Sequence, residues 1–211
     1  PQNIGTMKWD GKIPFKHTEK LSIKRSDDFD EDCLAPQWQW NYQPRKDYFS
    51  LTERPGWLRL KAYRPLETNN LLKAGNTLTQ RTFRKQNNDV TIKMDISNMQ
   101  DGQKNGLCHF SSQHSAIGIV KEEDACYLEY RKNGNITKGI QIHSEFIWFR
   151  TEWGMDGKSQ YYYSLDGDNF LPFGEKYQLT WGNYRGDRIG IYCFNDKKET
   201  GSVDVDYCHY R

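Results

Sequence analysis

Turn dipeptides set between alternating segments narrow the folds open to this chain more than any other feature. Pro55-Gly56, Asn133-Gly134 and Asp166-Gly167 each separate two short runs in which apolar and polar residues alternate. Asn-Gly and Asp-Gly favour the positive-φ geometry of tight hairpins, so the pattern predicts antiparallel strands. The cleanest run is 89–97, where Val90, Ile92, Met94 and Ile96 share one face and polar residues take the other. Comparable runs at 77–83, 106–112, 115–121, 126–132, 136–144, 145–152, 159–165, 176–181, 187–194 and 202–210 complete the series. With the aromatic segment 36–62 they give about twelve to fourteen short strands, the spacing of a sandwich or barrel. No segment reads as a helix beyond a possible single turn, and nothing repeats at a solenoid or propeller period. The expected fold is all-β, a two-sheet antiparallel jelly-roll sandwich over 27–211. Residues 1–26, with Gly5, Gly11 and Pro14, read as a linker that packs late through Trp9, Ile13 and Phe15.

The segment 36–62 concentrates large aromatics beside amides and arginine. Trp38 and Trp40 lie two apart and share a face in an extended chain, with Gln39 and Asn41 opposite. After the Pro55-Gly56 turn, Trp57-Leu58-Arg59-Leu60-Lys61 resumes the alternation, so the segment reads as two aromatic strands joined by a turn. Such groups suit stacking on sugar rings and bonding their hydroxyls; the same Trp residues also suit core filling between sheets.

Composition closes other routes. The 30 basic and 28 acidic residues leave a formal charge of +2, which argues against a nucleic-acid binder relying on a strong basic field. No run approaches the ~18 apolar residues of a membrane-spanning helix. Cys33, Cys108, Cys126, Cys193 and Cys208 form no CxxC pair. They read as small buried residues, or as one or two disulfides at most, and not as a zinc site.

The order DDFD at 27–30, QWQWN at 37–41, SLTERPGWLRL at 50–60 and NTLTQRTF at 76–83 resembles the C-terminal β-sandwich of family 43 β-xylosidases. The resemblance continues through SAIGIVK at 115–121, YSLDG at 163–167 and GDRIGIY at 186–192, and ends at GSVDVDY, 201–207. It implies a concanavalin-A-like jelly roll that accompanies a catalytic propeller and recognises xylan or xylo-oligosaccharides. The chain departs from the family in two respects. The propeller, with its acid and base carboxylates, is not in this sequence, and Val205 stands where the family commonly has Phe.

The expected sugar-binding residues are Trp40, Asn41, Gln80, Arg81, Trp153 and Tyr162. Gln80 and Arg81 are adjacent in a strand, so only one can face a ligand. Trp153 sits in a glycine-rich loop where a Trp has little core to fill, and Tyr162 points away from Tyr161 and Tyr163. Each stacked ring contributes on the order of 1 kcal/mol. Asp28 and Asp206 open and close the sandwich, and with backbone carbonyls they are the expected ligands of a structural calcium, the cofactor that related concanavalin-like proteins imply. The alternative for the pair is a solvated acidic turn and an edge-strand charge.

The chain itself is expected to be non-catalytic, an accessory domain partnered by a xylan-type polysaccharide and a catalytic glycoside hydrolase domain, with no nucleic-acid or membrane partner. A second function is structural: packing on a family 43 catalytic propeller and shaping its active site, with little sugar affinity. A third is a jelly-roll polysaccharide lyase. For it, Gln141-Ile142-His143 and Arg150-Thr151-Glu152 match two family elements, but in the wrong order and without the third that carries Lys and Tyr. His109, His114 and His209 read as structural.

Overall fold

The computed structural model describes residues 24–180 and 186–211. Chain order begins with β1 (Gln39–Trp40), β2 (Phe49–Ser50), β3 (Leu58–Lys61), β4 (Thr77–Arg81) and β5 (Asn88–Asp95). Next come β6 (Gln103–Phe110), β7 (His114–Glu122), β8 (Ala125–Lys132), β9 (Asn135–Ile142) and β10 (Phe146–Trp153). The last are β11 (Lys158–Ser164), β12 (Leu171–Pro172), β13 (Tyr177–Gln178), β14 (Arg188–Asn195) and β15 (Ser202–Tyr210). A 7-stranded sheet orders them β1-β4-β14-β6-β7-β8-β9, and an 8-stranded sheet β12-β11-β10-β5-β15-β3-β2, with β13 pairing β11. Every pairing is antiparallel, as the turn signals require.

The core lies between the sheets. Leu78, Leu107, Ile117, Leu128 and Ile191 of one sheet pack with Ile92, Met94, Ile147, Phe149 and Tyr161 of the other. Val205 belongs to this core with no exposed surface, so the shorter side chain still packs. Asn133 and Gly134 take φ of 49° and 91°, the pair of positive values that a two-residue hairpin loop demands.

The aromatic segment departs from expectation. Only β2 and β3 form the hairpin across Pro55-Gly56, in the 8-stranded sheet, while β1 pairs with β4 in the other. A two-residue strand is too short for alternation to reveal its partner. Trp38 is buried; its Nε1–H donates to Asp27 Oδ2 at 2.7 Å, and its ring stacks on Phe29 at 5.9 Å. Phe29 is held at φ 55°, a strained value for a bulky residue, with 2% of its surface exposed.

Residues 1–23, with Trp9, Ile13 and Phe15, lie outside the described residues, as does Trp181. The described end of the lead-in is seated on the last strand. Tyr210 N–H donates to Ser26 Oγ at 2.9 Å, and the Arg25 guanidinium lies 4.7 Å from the Phe83 ring. All five cysteines are free, and Cys108, Cys193 and Cys208 are buried, as small core residues would be.

One covering element was not anticipated. The loop after β3 carries a 3-10 turn, Leu71–Lys73, and crosses the outer face of the 7-stranded sheet. There Leu71 and Ala74 bury Cys108, Phe110, Tyr192 and Phe194 in a second, smaller apolar cluster. Gly118 makes room for it: a Cβ there would meet Asn105 O at 2.0 Å and the Tyr192 hydroxyl at 2.4 Å.

Candidate functional site

The outer face of the 8-stranded sheet is built by strict alternation. On β10 and β11, Phe149, Thr151, Tyr161 and Tyr163 are buried, so Trp148, Arg150, Glu152, Gln160 and Tyr162 point outward. The register then sets Arg150 opposite Tyr162 and Glu152 opposite Gln160. Trp148 lies opposite Lys93 of β5, and Lys93 in turn opposite Tyr207 of β15. Trp148 Nε1–H donates to the Tyr207 hydroxyl at 3.1 Å, and Tyr207 stacks on His209 at 4.0 Å. Cations cover the rings. Lys93 Nζ sits 5.2, 5.4 and 5.7 Å from Trp57, Phe146 and Trp148, and Arg150 lies 3.7 Å over Phe170.

At one end of this face a cleft of about 720 Å³ opens, lined by Gln86, Asn87, Glu152, Gln160, Tyr162 and Lys176 among others. That volume falls within the ~300–1,000 Å³ common for small-ligand sites. Burial and the neighbouring Glu152 carboxylate push the Tyr162 phenol up. A half-exposed ring, side-chain amides and a carboxylate converge here, a set able to hold a polyhydroxylated ligand.

The structure separates the expected residues. Trp153 and Tyr162 both line the cleft. Trp153 differs from expectation: it ends β10, is 3% exposed and plugs the end of the sandwich. Its Nε1–H donates to Phe83 O at 2.7 Å, and its ring meets those of His109 and Tyr210 at 5.3 and 5.6 Å. The other four lie on the β1–β4 side of the opposite sheet. Trp40 is half-buried, 4.7 Å from Phe49. Asn41 is buried, and its Nδ2 donates to the carbonyls of Leu72 and Ala74. Gln80 is 1% exposed and donates to Arg25 O at 3.1 Å. Of this pair only Arg81 faces solvent, as the alternation requires. Asn41 and Gln80 are therefore shut off from a surface ligand by their bonds to backbone. Trp148, Arg150, Glu152 and Gln160 were not among the expected sugar-binding residues, although the period-two patterns of 146–153 and 158–164 carried the signal.

The chain ends do lie side by side, through a bridge between Asp27 and Cys208. Asp28, however, pairs with His209 at 2.7 Å and Asp206 with Lys93 at 2.7 Å. Among the described residues no group of three His, Cys, Asp or Glu side chains is arranged to hold a metal. Gln141 lies on β9 and Arg150 and Glu152 on β10, strands of different sheets, so the two lyase-like tripeptides do not converge. His109 is buried between the sheets with Nε2 2.9 Å from Thr151 Oγ1, and burial pushes its pKa down to about 3.

Two antiparallel sheets packed face to face around one core define a β-sandwich. The chain belongs to the family described as the beta xylosidase C-terminal concanavalin A-like domain, which it matches over residues 26–211. It is thus a C-terminal accessory domain of family 43 glycoside hydrolases. It is 35% identical over 219 residues to a beta-xylosidase of Formosa agariphila, covering 94% of this chain and 37% of that protein. A putative beta-xylosidase of Xylanibacter ruminicola is 30% identical over 181 residues, covering 85% of this chain and 32% of that protein. The chain spans about a third of the length of these curated relatives. Among solved structures, a bifunctional GH43-CE protein of Bacteroides eggerthii superposes with a TM-score of 0.80 at 28% identity, over 88% of this chain and 25% of that one.

Proposed function

We propose that this domain is non-catalytic and binds xylan or xylo-oligosaccharides in the cleft around Tyr162, alongside a family 43 catalytic domain. The convergence of the Tyr162 ring with Glu152, Gln160 and Asn87 in one open cleft carries this reading. A ring supports the C–H face of a pyranose, while the amides and carboxylate match its hydroxyls. Two relatives named as beta-xylosidases point to xylose-containing ligands. Affinity electrophoresis through xylan tests it. The wild-type chain is retarded, and Tyr162→Ala weakens binding about fivefold, the ~1 kcal/mol of a stacked ring. Equal retardation of Tyr162→Ala and Gln160→Ala with wild type would remove the claim for this cleft.

A second reading, packing against the catalytic domain, draws on a different observation. Trp57, Phe146, Trp148 and Phe170 form a belt on this same face, covered by cations rather than open for stacking. It predicts no retardation by xylan, and a catalytic domain that dissociates more readily from Trp148→Ala than from wild type.

A further inference from the structure

On the opposite face, the loop between β3 and β4 has its crest at Asn69, which holds a left-handed φ of 60°. The crest is pinned from two sides. Asn69 N–H donates to Asp196 Oδ1 at 2.8 Å, and Asn69 Oδ1 accepts from Arg131 Nη1 at 2.7 Å. Beside it lies a separate cleft of about 450 Å³, lined by Asn69, Asn70, Leu72, Gln113, His114 and Asn133 among others. Among the described residues no Asp, Glu, Lys or Arg lines this cleft. Arg131 is charge-compensated by its ion pair with Glu129, and burial together with Arg131 pushes the His114 pKa down to about 4, so that side chain is neutral at pH 7.

The amides are arranged before any ligand arrives. Asn133 Oδ1 accepts from His114 N–H at 3.0 Å, and Asn133 Nδ2 donates to Gln113 Oε1 at 3.3 Å. Gln113 itself is exposed. Pre-set amides supply the neutral donors and acceptors that hydroxyl groups match, and no lining side chain offers a counter-charge to a carboxylate or ammonium. We propose that this cleft is a second saccharide subsite, selective for neutral stretches of a polysaccharide backbone. The proposal rests on the reading of the domain as a polysaccharide binder and makes it bivalent, with one subsite on each outer face. Two weak subsites on one long chain, or on neighbouring chains, reinforce each other through effective concentration.

A ¹H–¹⁵N titration of the 211-residue chain with xylohexaose reads both sites at once. The side-chain amides of Gln113 and Asn69 report on this cleft, and Gln160 with the Tyr162 backbone amide on the other. Both sets are expected to shift. Gln113→Ala weakens the first set about two- to tenfold, as for one lost hydrogen bond, and leaves the second in place. Tyr162→Ala does the reverse. Shifts at Gln160 and Tyr162 alone would overturn the second subsite while the proposed function stands. Shifts at Gln113 and Asn69 alone would support it and refute the Tyr162 cleft. No shift anywhere would refute both. Tighter binding of a uronate-decorated oligosaccharide at Gln113 would overturn the preference for neutral chains.

Discussion

The two outer faces of this sandwich arise from the same alternation and acquire opposite character. On the β10 side of the 8-stranded sheet the outward charges stay in contact with water: Arg150 is half-buried over Phe170, and Lys93 bridges three rings to Asp206, whereas towards β3 Asp204 is 2% exposed beneath Arg54 and Arg59. On the 7-stranded sheet Glu129 and Arg131 are also outward members of a strand, yet they are only 5% and 2% exposed, because the loop crest at Asn69 closes over them. Strand parity decides which face a residue occupies. A loop from elsewhere in the chain then decides whether a charge on that face is solvated, and with it the energetic weight of the pair.

The largest expected effect follows directly. Arg131→Met leaves Glu129 buried without its partner and should destabilise the fold by about 3–5 kcal/mol in urea denaturation. Arg150→Met on the open face removes a cation–π contact and a bond to Thr91 Oγ1, and should cost about 1 kcal/mol or less. Replacing Glu129 and Arg131 together with apolar residues should recover most of the loss, since the cost lies in the orphaned charge. Equal losses for the two single variants would collapse the contrast between the faces.

A smaller effect separates the sealed regions from the open one by pH. His109, between the sheets, and His114, beside the covered face, have pKa values lowered to about 3 and about 4, chiefly by burial. Both groups stay neutral in the folded chain and take up protons near 6.5 when it unfolds. The unfolded state therefore binds more protons below that pH, so stability is complete above 6.5 and falls as pH drops toward the folded values. At pH 5 each histidine should account for about 2 kcal/mol of lost stability, a window above the range where carboxylates titrate. His109→Gln should flatten the decline between pH 7 and pH 5, and an unchanged slope would show that His109 is already hydrated.

Much of this architecture was legible from the sequence where the pattern was long. The run Val90, Ile92, Met94 and Ile96 is buried as its alternation requires, and Asn133-Gly134 turns where its φ preference requires. Legibility failed where long-range partners decide. The two residues of β1 contain no periodicity that could assign them to one sheet. Which of Gln80 and Arg81 turns inward was open in the sequence; Gln80 does, on the side of Leu78, and satisfies the Arg25 carbonyl 55 positions away. Trp153, expected in a glycine-rich loop, instead ends β10 and caps the sandwich core with its indole N–H on Phe83 O. Of the expected sugar-binding set only Tyr162 presents its ring to a cleft, because its neighbours Tyr161 and Tyr163 take the inward positions.

The smallest expected effect tests what the ring of Tyr162 contributes apart from its hydroxyl. Stacking on a saccharide uses the flat ring and not the hydroxyl. Tyr162→Phe keeps the flat surface and should weaken xylo-oligosaccharide binding by no more than about twofold, against about fivefold for Tyr162→Ala. Neither change should shift the urea midpoint by more than the equivalent of about 1 kcal/mol, because the side chain stands on the open face, away from the core. If Phe proves as damaging as Ala in a calorimetric titration, the phenol and Glu152 form the recognising pair, and the cleft selects hydroxyl geometry over ring stacking.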